Sequence, residues 1–160
     1  MQLSEHFTLY ELTASPTAKA RRIRNVPGLE QVANGVRLCT ELEKVRAITG
    51  EPLPINSGFR CDELNAAVGG SPTSYHKDFL AADFDPPPGW THDAFQHAIA
   101  EDPTIAFDLL LEEGTAKPES EGGHRWIHMQ VARPGHEPRR LVRDATVDRL
   151  GGTIIRTEVG

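Results

Sequence analysis

Residues 74–83 read SYHKDFLAAD and set an imidazole, His76, ahead of a carboxylate, Asp83, with six residues between them. Both groups are ordinary ligands for a divalent cation such as zinc. The interval decides how they could share one. On a continuous helix they would stand about 10 Å apart along the axis, and on a straight strand roughly 23 Å, both too far for one ion held at about 2 Å. Only a chain that doubles back between them brings them to a point. Gly69, Gly70 and Pro72 make the approach irregular, and Ala81 and Ala82 leave room for close backbone passage. Asp83 is then expected in a strand and His76 in the loop leading to it.

A zinc site needs a third protein ligand. Of the seven histidines, His6 sits in a terminal turn, His92 and His97 in a polar helix and His136 in an Arg- and Pro-rich tail, all places that suit surface residues. His128 differs, because RWIHMQV surrounds it with apolar residues on a core strand. It is either a core histidine satisfied by a hydrogen bond or the missing ligand. In the second case His76, Asp83 and His128 form a His2Asp set with a fourth position open for water, the pattern of a hydrolytic rather than a structural zinc.

The elements that must position these groups follow from periodicity and punctuation. Leu9 to Leu12 reads as a short helix capped by Thr8 or Ser4. Leu29, Val32, Val36, Leu38, Leu42, Val45 and Ile48 recur near every 3.6 residues, which predicts an amphipathic helix from Pro27 to Ile48, ended by Gly50. PLPINSGF reads as a short strand, CDELNAAV as one or two helical turns, AADFD as a strand stopped by PPPG, and THDAFQHAIAED as a helix capped by Thr91. AFDLLLEE and RWIHMQVA have the character of two strands joined by a polar loop, residues 114–123. From Pro134 the tail is Arg-rich and ends in GGTIIRTEVG, an edge strand or a loose end. The mixture, without repeats, predicts an α+β fold.

At 160 residues the chain suits one domain, 1–160, with enough length to bury a core without disulfides. A net charge of -6 and a pI near 5.6 argue against nucleic acid as partner. No apolar run reaches bilayer length and the N-terminus lacks signal-peptide order, so neither a membrane nor export is expected, and the chain is read as cytoplasmic when made. Cys39 and Cys61 form neither a disulfide framework nor a zinc ribbon.

SGFRCDELNAAVGGSPTSYHKDFLAADF resembles the signature region of the zinc D-alanyl-D-alanine carboxypeptidases, the LAS metallopeptidases, whose pattern is SxHxxGxAxD. Ser74, His76, Ala81 and Asp83 fill it in register, SGFR is similar to the family's SGYR, and WIHMQV is similar to the WVHVS segment of its last ligand. SEHFTLYELTASPTA is similar to the HFTLxELxxSxTA opening of a bacteriophage and prophage branch, so the likeness runs from about residue 3 to 132, with 133–160 as an Arg-rich extension. The resemblance implies a small antiparallel sheet flanked by helices, as in the Hedgehog and D-Ala-D-Ala peptidase fold. It implies Zn2+ on His76, Asp83 and His128, and substrate binding by Arg60 and Ser74. The substrate it implies is a peptidoglycan stem peptide. An endolysin-like enzyme of this kind is expected to be a monomer and, because the N-terminus lacks signal-peptide order, to reach the wall after release that depends on a holin. Physically, the Arg60 guanidinium could fork onto a carboxylate; the alternative is a surface ion pair with Asp62 or Glu63.

Two departures matter. Phe79 stands where the family has glycine, so a left-handed turn there is disfavoured. Either the turn is built differently or the site is distorted, which leaves a non-catalytic wall-binding or tail module as the competing reading. The family's acid three residues before the last ligand, or histidine two before it, is replaced by Arg125 and Trp126. The general base must come from Glu113, Glu112 or His124. FDLLLEE resembles the phage branch's FDQLILE and favours Glu113; a shift by one would choose Glu112, and strand alternation allows only one of them to face the metal. His124, in a glycine-rich turn, could instead swing in to stabilise an oxyanion.

Overall fold

The computed structural model describes residues 1–115, 117, 119–147 and 153–156. Helix α1, Leu9–Thr13, starts where the Thr8 hydroxyl accepts from the Glu11 N–H, as the cap residue predicts. A second helix, α2 at Pro16–Arg21, was not expected. Its signals are nonetheless local: Ser15 caps it by accepting from the Ala18 N–H, Pro16 fills the first turn, and Arg22 ends it at φ 57.

Helix α3 spans Leu29–Ala47 and buries Gly35, Leu38, Cys39, Leu42 and Val45. Leu29 and Val36, expected on the apolar stripe, face solvent at 93% and 42% exposure. The period was right and the stripe narrower than the apolar count suggested. Past the helix, Gly50 takes φ 72 and its N–H donates to the Arg46 carbonyl.

Strand β1 (Ile55–Ser57), helix α4 (Asp62–Ala67), a 3-10 turn at Tyr75–Asp78, strand β2 (Ala81–Phe84) and helix α5 (His92–Glu101) follow in order. Strands β3 (Phe107–Gly114), β4 (Arg125–Val131), β5 (Leu141–Val147) and β6 (Thr153–Arg156) complete the sheet, whose order is β1-β2-β4-β3-β5-β6. The α+β expectation holds: β1, β2, β4 and β3 pair antiparallel, and helices flank the sheet. The sheet extends further than expected. β5 lies parallel to β3 and was not expected, while β6 forms the edge of the described sheet, the edge-strand reading of GGTIIRTEVG.

Alternation along the strands divides the sheet into two faces. Phe84, Ile127, Met129 and Leu110 join one core cluster with Leu38 and Leu42 of α3 and Phe95 and Ile99 of α5. The opposite face carries Asp83 and His128. Cys39 and Cys61 are both free thiols, and Cys39, in the core, has its pKa pushed up to about 12 by burial and the nearby charge of Glu43. No helix among the described residues is long and apolar enough to cross a membrane.

Candidate metal centre

The β2–β4 register sets Asp83 directly opposite His128. His76 reaches the same point from the 3-10 turn, by the doubling back its spacing required. Ser74 starts that turn, its hydroxyl accepting from the His76 N–H at 3.3 Å. Phe79 ends it at φ 60, its N–H donating to the His76 carbonyl, and the Leu80 N–H donates to Tyr75.

The expectation that Phe79 would rebuild the turn or distort the site is therefore corrected. The left-handed conformation is kept, and the side chain that makes it costly is fully buried. Packing of the ring supplies what the backbone loses.

His76 Nδ1 lies 2.7 Å from the Gly58 carbonyl. A carbonyl only accepts, so Nδ1 carries the proton and the Nε2 lone pair faces Asp83 Oδ1, 3.2 Å away. Gly58 is itself held against Leu12, where only a residue without a side chain fits: a Cβ there would sit 2.2 Å from the Leu12 carbonyl oxygen. His128 Nδ1 is 2.8 Å from the same Asp83 oxygen. One ligand atom from each of the three residues lies within 4.8 Å of the other two. Two imidazole nitrogens and a carboxylate gathered at these separations are the donor types and the number of protein ligands that a zinc site with an open position takes.

The electrostatics suit a cation. Burial pulls the His76 pKa down and keeps the ring neutral. Burial alone would raise Asp83, but the two histidines outweigh it and hold the carboxyl well below its usual range. For His128 burial pulls down, while the bond to Asp83 and the charges of Asp83 and Glu113 together lift it. A proton at Nδ1 and a metal ion compete for the same place.

The three centre residues line an open cleft of about 660 Å³ together with Arg60, Ser74 and Glu113. Glu113, opposite Trp126 on β4, faces the centre, and burial raises its pKa, with Asp83 adding to the effect. Glu112 turns to the helical face, where it is buried and ion-paired with Arg125. His124 stays half in solvent, 3.3 Å from Asp85 and stacked on Trp126. Of the three base candidates, the fold brings only Glu113 to the cleft.

Arg60 does not make the surface pair with Asp62 or Glu63. Its Nη2 lies 3.6 Å from Asp83 Oδ2, its Nη1 donates to Asn65 Oδ1 at 3.2 Å, and its buried Nε has no partner among the described residues. Asn65 had no signal of its own in the sequence, since DELNAAV reads as an ordinary helical turn. Its role comes from the fold, where it is buried and its amide donates to the Ser71 carbonyl.

A family model described as peptidase M15 matches residues 5–107. The chain belongs to the peptidase M15 family. M15 peptidases are zinc-dependent hydrolases, and the His76, Asp83 and His128 cluster of this M15 peptidase is compatible with that metal. No curated protein matches the chain. The match contains Arg60, His76 and Asp83 and ends before Glu113 and His128, so for this M15 peptidase the last two are placed by geometry.

Proposed function

We propose that this M15 peptidase hydrolyses peptide bonds in bacterial peptidoglycan stem peptides, as an endolysin-like enzyme of phage or prophage type. The observation that carries the reading is the convergence of His76, Asp83 and His128 on one point, with Glu113 beside them on the same face of the sheet. The substrate class rests on the resemblance of SxHxxGxAxD and its flanking segments to the D-alanyl-D-alanine peptidases.

His76, Asp83 and His128 would hold the zinc. When bound, the ion supplies Lewis acidity toward the scissile carbonyl and toward water. Glu113, whose burial favours proton uptake, takes the proton from the attacking water and passes it to the leaving amine. Arg60, tethered by Asn65 and with an unmatched buried N–H, binds a substrate carboxylate or carbonyl. Ser74 lines the same cleft. The enzyme would act as a monomer at the wall.

The test is purified protein with a measured zinc content, incubated with purified peptidoglycan, followed by mass spectrometry of the muropeptides. Loss of a terminal D-alanine identifies a carboxypeptidase and a new internal end identifies an endopeptidase. Zinc-loaded protein that leaves the wall intact sinks the reading in favour of a binding module.

A further inference from the structure

Downstream of the family match, a buried polar chain ends on His128. Gln130, two residues further along β4, points to the same face, and its Oε1 lies 3.2 Å from His128 Nε2. Gln130 Nε2 donates to Asp108 Oδ2 at 3.2 Å. Arg139, in the segment that leads into β5, grips Asp108 with three bonds: Nε to Oδ1 at 2.9 Å, Nη2 to Oδ2 at 2.5 Å and its backbone N–H to Oδ1 at 3.1 Å. Asp108 and Gln130 are only 3% and 7% exposed, so they have little water to replace these partners.

The direction of each bond follows from what each group can do. The Asp108 carboxylate, held ionised by Arg139, only accepts, so the Gln130 amide must turn its NH2 toward it. That leaves the Gln130 carbonyl oxygen facing His128. An amide oxygen also only accepts, so His128 Nε2 must carry the proton, and Nδ1 is the nitrogen left to offer a lone pair beside Asp83. A free imidazole exchanges its proton between both nitrogens, and one of its two neutral forms would present N–H to the ion.

We propose that Gln130, oriented by Asp108 and Arg139, is a positioning residue that fixes His128 in the tautomer able to bind zinc, so that the segment after β4 is part of the metal site. The proposal rests on the zinc reading of His128. It also goes beyond it, because Arg139 lies outside both the matched residues and the family-like region.

The experiment measures zinc affinity by competition with a chromophoric chelator, and the visible spectrum of the Co2+-substituted protein, for wild type and three variants. Gln130→Leu removes the acceptor and is expected to weaken zinc about 10–100-fold and to alter the cobalt spectrum. Asp108→Asn combined with Gln130→Glu moves the charge by one residue but keeps an acceptor on His128 Nε2, and should recover most of that affinity. A purely structural network would lower the unfolding midpoint of the metal-free protein equally in both, without this recovery. Gln130→Leu with wild-type affinity and cobalt spectrum overturns the proposal. Should that variant not fold, Arg139→Ala, at a half-exposed side chain, decides: a several-fold loss supports the proposal and none overturns it. Wild-type protein that binds no zinc overturns the zinc reading and this inference together. Zinc binding without peptide cleavage overturns the peptidase reading alone, and the variants still decide here.

Discussion

The ring of Phe79 occupies the space that a side chain at position 35 would need: a Cβ on Gly35 would lie 2.6 Å from Phe79 Cε1. The two residues explain each other. Phe79 holds φ 60 at the end of the turn that carries His76, a conformation costing a non-glycine residue about 1 kcal/mol or more. Burying a phenylalanine side chain returns about 2–3 kcal/mol. With the ring against α3 and 5.6 Å from Phe59, burial wins and the turn survives without its glycine.

Gly35→Ala should therefore destabilise the protein by about 1–3 kcal/mol, because the ring cannot move without opening the core. Phe79→Gly removes the strain and leaves a large cavity, for a net loss of about 2–4 kcal/mol. The double variant should lose less than the sum of the two, which denaturant titration of all four proteins would measure. Additive losses would show that the contact is not the cause.

His76→Ala and His128→Ala should each abolish stoichiometric zinc as read by elemental analysis. Since an ion bound only to the folded state stabilises it by mass action, about 4 kcal/mol at a thousandfold excess over Kd, a chelator should lower the unfolding midpoint of wild type. It should leave the midpoint of either variant unchanged.

Glu113 and Glu112 are adjacent in sequence and face opposite sides of the sheet. Glu113→Gln should reduce kcat by about 10²–10⁴-fold while zinc content stays at the wild-type level. Glu112→Gln, which breaks only the pair with Arg125, should keep kcat within a few-fold and cost about 1 kcal/mol of stability. Equal kinetic losses in both would remove Glu113 from its assigned role.

Asp108 makes stability fall in acid. Its bonds to Arg139, against the opposing effect of burial, lower its folded-state pKa from 3.8 to about 2. A carboxyl depressed in the folded state contributes stability that is complete above the unfolded value and is lost as pH falls through the folded one. The contribution, on the order of 2 kcal/mol, should be present above about pH 4 and fade between pH 4 and 2. Urea titrations of wild type and Asp108→Asn across that range should converge at low pH. A constant gap would mean that Asp108 acts through shape alone.

Much of this architecture is written in short stretches of chain. Thr8, Thr91 and Gly50 mark helix ends, composition, length and the turn residues around them mark AADF and RWIHMQV as strands, and the six residues between His76 and Asp83 demand a reversal that the fold contains. These signals are legible because a cap, a turn or a period is satisfied by residues within a few positions of one another. Alternation also established that Glu112 and Glu113 must part, without saying which one meets the metal. That choice, the pairing of Asp83 with His128 and the chain from Arg139 through Asp108 to Gln130 were decided by strand register. So was the placement of β5, where Arg143 and Asp144 interrupt the apolar pattern, while the slot at Gly35 that lets Phe79 take a glycine's conformation was decided by the packing of α3 on the turn. Each depends on contacts between residues far apart in sequence, whose energies become available only when the whole sheet and its helices are packed together.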